Sequence, residues 1–158
     1  MFDIGDKVVY PMHGAGIIEA IEEQEVLGET RKYYIMRMPI GDMKVMIPTN
    51  NIKGIGLRQV IDEDGVQQVL TILNDKTSTM SQNWNQRYRN NLEKIKSGNI
   101  YEVAEVVRNL MLRENEKGLS TGERKMLENA RQILISELAL ARGTEEKKIE
   151  SMLEAVFA

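Results

Sequence analysis

KVMIPTNNIKGIGLRQVIDEDGVQQVLTIL, residues 44–73, changes its period halfway along. Val45 and Ile47 alternate with Lys44 and Met46, the two-residue rhythm of a half-buried strand. Val60, Ile61, Val66, Val69, Leu70 and Leu73 recur instead at helical spacing. A chain that is β before this point and α after it belongs to the α+β class. The change divides it into residues 1–55 and 56–158. No long flexible linker separates the parts, so a preferred mutual orientation is expected.

Toward the N-terminus, KVVY (7–10), GAGIIEAIEEQEV (14–26), RKYYIMRM (31–38) and KVMIP (44–48) are short runs rich in Val, Ile and Tyr. Gly28 and Gly41-Asp42 mark turns, and Pro39 ends a strand or sits on an edge. Four or five strands in so few residues must curl to cover a face, so a small, strongly bent, barrel-like β-domain is expected. Toward the C-terminus the pattern predicts a helix or a broken pair of helices, with Asp64-Gly65 as the break. Ser81 is placed to cap a helix running to about Ser97, with Gly98 at its C′ end. Asn99 caps the next, which Gly118 ends. Ser120-Thr-Gly-Glu123 has capping-box spacing and opens a helix that stops at Gly143, and Thr144 is placed to cap a last one. The second part is thus a compact all-helical domain of about five helices.

Composition narrows the function. With 158 residues, 42% hydrophobic and 28% charged, the chain is an ordinary globular protein of one domain or two small ones. No apolar run is long enough for a membrane span and no signal peptide is recognisable. The absence of cysteine excludes disulfides, thiol catalysis and zinc–cysteine sites, and fits a cytoplasmic protein. His13, the single histidine, lies in YPMHGAG and reads as a turn residue. Neither HGAG nor GIG (54–56) has phosphate-loop spacing, and Asp62-Glu63-Asp64 is too short for a calcium loop. An enzyme is disfavoured, and no cofactor or metal is expected. The formal net charge of -3 argues against strong non-specific DNA binding. The charge is uneven, though. Residues 84–96 hold Arg87, Arg89, Lys94 and Lys96 against Glu93 alone. A local basic patch on a weakly acidic protein suggests a module that needs help to reach DNA.

Trp84, the one tryptophan, sits in SQNWNQRYRNNLEKIK. On a helix it shares a face with Tyr88, Leu92 and Ile95, while Arg87, Asn91 and Lys94 lie on one flank and Arg89, Glu93 and Lys96 on another. Two readings remain open. Trp84 anchors the helix in the core, or the other three anchor it and Trp84 projects from the first turn, suited to a duplex edge. Arg124-Lys125, after GLSTG, is a solvated helix face or a second phosphate contact, with Ser120, Thr121 and Gly122 as further donors.

The opening FDIGDKVVYPMHGAGIIEAIE, and the stretch NWNQRYRNNLEKIKSGNIYEVAEVVRNLMLRENEKGLSTGERKMLENARQILISELALA, resemble the CarD/CdnL family of bacterial RNA-polymerase-binding transcription regulators. Together they cover about residues 1–155. The first motif is shared with the transcription-repair coupling helicase; the second belongs to the stand-alone regulators. The resemblance implies a Tudor-like bent β-domain that binds the RNA polymerase β subunit through an exposed strand, here Tyr34 to Pro48, notably Lys44, Met46 and Ile47. Members can carry arginine where this chain has Gln24 and Met46. The family's conserved tryptophan corresponds to Trp84. The resemblance makes it a wedge in the minor groove at the upstream edge of the promoter bubble, near the −10 element. Arg87 and Arg89 hold the backbone, and Arg124 and Lys125 form a second patch. Gln86 replaces a basic residue found in some members. A protein that is monomeric when free and stabilises the open complex follows, with an adaptor that never touches DNA as the alternative.

Overall fold

The computed structural model describes residues 1–77 and 80–158. Strands β1 (Lys7–Tyr10), β2 (Gly14–Val26), β3 (Glu29–Met38), β4 (Met43–Pro48) and β5 (Arg58–Gln59) form one antiparallel sheet in the order β4-β3-β2-β1-β5. β4 and β5 are its two edges, so the sheet stays open and does not close as a barrel. A register shift between Ile18 and Ala20 bends β2. Leu27 and Gly28 both take positive φ, 54° and 81°, the two-residue turn whose twist matches a hairpin. β3 ends at Met38, one residue before Pro39.

Alternation along the strands sends Val8, Ile18, Tyr34, Met36 and Ile47 to one face, where Leu57 joins them in a buried cluster. Phe2, with Ile52 and Ile55 of the short helix α1 (Ile52–Ile55), packs against this cluster. The sheet therefore takes in Arg58 and Gln59, past the change of period near residue 55, and Val60 and Ile61 are not helical. Val60 N–H continues the sheet by donating to the Lys7 carbonyl at 3.1 Å.

Five longer helices follow: α2 (Glu63–Asn74), α3 (Trp84–Lys96), α4 (Ile100–Glu116), α5 (Thr121–Arg142) and α6 (Glu146–Val156). Asp64-Gly65 is not a break. Asp62 caps α2, accepting from Gly65 N–H at 2.9 Å, and Glu63 and Asp64 fill a first turn that favours acidic side chains. Gly65 is there for space, since a Cβ would come within 2.8 Å of Ile61 Cβ and 2.9 Å of Tyr101 Oη. Asn83, not Ser81, caps α3, and Asn99 caps α4 as the sequence indicates. Thr144 caps nothing; α6 starts after Glu145 without a side-chain cap. The helical core runs from Val66 and Leu73 through Val103, Val107 and Leu110 to Leu134, Leu138 and Leu153.

The sheet's other face meets α5. Ser136 Oγ accepts from Ala15 N–H at 2.9 Å and donates to the Ile133 carbonyl at 2.8 Å. Gly14 makes this approach possible. Its φ is +105°, and a Cβ at that position would lie 2.9 Å from Ser136 Oγ, so both conformation and space exclude a side chain. Lys7 Nζ donates to the Leu140 carbonyl, and Arg58 forms a two-pronged ion pair with Glu137, both N···O distances 2.7 Å.

Candidate nucleic-acid interface

The inward stripe of α3 is Arg87, Asn91 and Ile95, four residues apart. It lies one residue round from the apolar stripe that the sequence suggests. Tyr88 and Leu92 are half-buried beside it, and Trp84 stands at the helix start with 42% of its surface exposed. Asn83 sets that start: its side chain accepts from Gln86 N–H at 3.1 Å.

Arg87 is only 2% exposed, so it is not the surface phosphate contact expected of it. Its Nε and Nη2 donate to the Glu123 carboxylate at 2.8 and 3.2 Å, and its Nη1 to the carbonyls of Ser81 and Gln82. Such bidentate, charge-assisted pairing is what makes a buried arginine tolerable. Burial acts to raise the Glu123 pKa. The hydrogen bonds and charge of Arg87, helped by Ser120 and Arg113, outweigh it and hold the carboxyl below the ordinary glutamate value. Glu123 therefore does not complete a capping box. Ser120 Oγ accepts from Glu123 N–H at 3.2 Å, but the carboxylate turns to Arg87 instead of the Ser120 backbone.

This pair joins the starts of α3 and α5 and gives the indole its seat. Trp84 stacks on Tyr88, ring centroids 5.1 Å apart and planes 17° from parallel. Its Nε1–H donates to Ser120 Oγ at 3.1 Å. Gly122 lies against both rings, its Cβ position 3.6 Å from Tyr88 and 3.8 Å from Trp84. Beside Trp84, Asn83, Asn85, Gln86, Arg89 and Asn90 line a shallow depression. That strip is rich in neutral hydrogen-bonding groups and has one exposed cation, Arg89. Arg124 and Lys125 are also exposed, with Arg124 Nη2 3.8 Å from Glu114. Sequence reasoning marks neither Tyr88 as the stacking partner nor Glu123 as the counter-ion. The S-x-x-E spacing points at Glu123 for a different duty.

On the sheet, the edge strand β4 presents Lys44 and Met46 outward, Met46 at 48% exposure. Lys44 Nζ lies 3.4 Å from Glu19. Pro48 is half-buried. Tyr34 and Ile47, named with them, have their side chains in the sheet core, and β3 is paired on both sides at Tyr34, with Ile21 and Ile47. Of the residues named, Lys44, Met46 and Pro48 have side chains open to a partner, beside the outer backbone edge of β4 and the exposed Met43 and Arg37. Gln24 stands across from Arg31 near the β2–β3 turn. His13 lies in the β1–β2 turn, its ring 4.5 Å from that of Tyr10. Among the described residues no three His, Asp or Glu side chains converge to hold a metal ion, and no helix is long and apolar enough to cross a membrane.

Residues 68–154 match the family model of the CarD C-terminal domain, and residues 2–61 that of the CarD-like/TRCF RID domain. Over 151 residues the chain is 51% identical to YdeB of Bacillus subtilis (strain 168), a candidate transcription factor by its name, covering 96% of this chain and 99% of that one. It is 34% identical to the 72-residue N-terminal domain of Myxococcus xanthus CarD, solved by NMR, covering 37% of this chain and 79% of that one with a TM-score of 0.33.

Proposed function

The chain belongs to the CarD family, and from that premise we propose that it is a non-enzymatic transcription regulator that binds the RNA polymerase β subunit and stabilises the promoter open complex. The outer edge of β4, with Lys44, Met46 and Pro48, takes the polymerase by strand addition. The indole of Trp84 then wedges into the minor groove at the upstream edge of the bubble, near the −10 element, while Arg89, with Arg124 and Lys125, holds phosphate.

The observation that supports this most is the seat of Trp84. A tryptophan serving only as a core anchor would be covered. This one keeps two-fifths of its surface in solvent, beside a strip of amides and Arg89. Without Arg87 the cation set is small, so intrinsic DNA affinity is low and depends strongly on salt. Attachment to polymerase supplies the missing affinity as effective concentration at the promoter. Preferential contact with melted DNA shifts the closed–open equilibrium only by its differential free energy, and about 1.4 kcal/mol shifts it tenfold.

The burial of Arg87 also favours the second reading, an adaptor that touches no DNA. Trp84→Ala distinguishes them. The wedge predicts a several-fold shorter open-complex lifetime with helical content and polymerase binding intact. The adaptor predicts an unchanged lifetime.

A further inference from the structure

The indole of Trp84 is held at three places, and only one of them is needed for packing. Tyr88 covers one ring face, Gly122 lies against the ring, and Ser120 Oγ takes the Nε1 proton at 3.1 Å. The Ser120 hydroxyl is fully engaged. It accepts from Trp84 Nε1–H and from Glu123 N–H, and it donates to Glu123 Oε1 at 3.3 Å. A hydroxyl has one donor and two acceptor sites, so all three are used. Glu123 in turn is fixed by Arg87, which stands on α3 one turn after Trp84. The result is a closed circuit from α3 to α5 and back to the tryptophan on α3.

We propose that Ser120 is a positioning residue for the Trp84 wedge: its hydroxyl selects one of the two indole orientations that stack on Tyr88, the one whose Nε1 edge faces the start of α5, and so presents the ring to a nucleobase in a single pose. Stacking on Tyr88 alone does not select that orientation. A half-turn of the indole about χ2 keeps the ring plane and carries Nε1 to the opposite edge, and an indole nitrogen is a donor with no other use there. The tether removes this alternative before DNA arrives, so the ordering cost falls on folding and not on binding. Deepening the wedge reading in this way rests on that reading, but the tether itself exists in the free protein and is tested there.

Trp84 is the only tryptophan, so fluorescence excited at the red edge of the indole band, where the five tyrosines do not absorb, reports on it alone. In the free protein, Ser120→Ala is expected to raise the acrylamide quenching constant of Trp84 about twofold and to lower its anisotropy. Ser120→Thr, which keeps a hydroxyl able to cap α5, is expected to restore both. Loss of the α5 cap is a separate consequence of Ser120→Ala, read by circular dichroism and denaturant midpoint. Trp84→Phe keeps the stack and the cap but has no N–H, so Ser120→Ala made in that background retains only the capping effect. With polymerase and promoter, Ser120→Ala shortens the open-complex lifetime several-fold while binding to the β subunit is unchanged, and Ser120→Thr recovers it. Quenching and anisotropy equal to wild type in Ser120→Ala would overturn the tether. A changed quenching with an unchanged lifetime, in a promoter where Trp84→Ala does shorten it, would overturn the positioning role. If Trp84→Ala has no effect on lifetime, the wedge reading fails and the positioning role with it, while the quenching data still decide the tether.

Discussion

Removing one half of the Arg87–Glu123 pair leaves the other as a charge buried without compensation, since both side chains are 2% exposed. The usual cost of that is about 3–5 kcal/mol, far above the value of a surface ion pair. Arg87→Met is therefore expected to lower the unfolding free energy by about that amount, measured by urea denaturation at pH 7. The pH dependence has a definite sign. The folded pKa of Glu123 lies below its ordinary value of 4.5, so its contribution is present above that value and is lost as pH falls through the folded pKa. The stability gap between wild type and Glu123→Gln should be widest near neutrality and close as pH drops below 4.5. A gap that stays constant through the acid range would mean that the carboxylate charge is not what Arg87 recognises. Helical spacing places Arg87 beside Asn91 on a flank, and a polar residue on a flank is ordinarily solvated. Nothing local in WNQRYRNN says that the flank is the buried side, because the counter-ion is 36 residues away.

At the scale of the element, legibility follows local chemistry. β1 and β2 match their sequence runs to the residue, and β3 and β4 differ only at one end, because alternation and flanking turn residues are encoded within each strand. Asn99 and Ser120 are readable as caps for the same reason. Gly65 misleads because a glycine chosen for close approach to Ile61 and Tyr101 looks in sequence like one chosen for a break. β5 escapes notice because two residues carry no period; their pairing with Val8 and Val9 exists only in three dimensions. The edge strand β4 yields the next expectation. Lys44 and Glu19 are both well exposed, so their ion pair contributes little to stability. Lys44→Glu should leave the unfolding free energy within about 0.5 kcal/mol of wild type. It should also weaken binding to an isolated β-subunit fragment about tenfold, or about 1.4 kcal/mol by calorimetry. Equal affinity would count against Lys44 and the β4 edge as the proposed polymerase contact.

Across the whole molecule, sheet and bundle are joined by polar groups that leave little slack. The Glu137 carboxylate, fully buried, accepts from Arg58 Nη1 and Nη2 and from Ile61 N–H at 2.9 Å, while Arg58 Nε donates to the Gly98 carbonyl at 3.0 Å. Arg58 thus links the last strand of the sheet to α5 and to the α3–α4 turn, and α3 begins with Trp84. Under the proposed function, with polymerase attached at β4, a stiff connection would concentrate the indole at one point on DNA more than a loose joint, which would spread it over a larger volume. Arg58→Ala is expected to cost about 3–5 kcal/mol by leaving the buried Glu137 charge without a counter-ion and with Ile61 N–H as its remaining donor. The double change Arg58→Met with Glu137→Leu, which replaces the pair by apolar groups, should recover most of that stability. The double variant is the informative one, because Ile61 N–H and the Gly98 carbonyl lose their partners and the joint its directional bonds. It is expected to bind the β-subunit fragment as wild type does, to keep its helical content, and yet to give a shorter-lived open complex. A double variant with wild-type open-complex lifetime would show that the packing of β1 and β2 on α5 already supplies the stiffness, and that the ion pair serves stability alone.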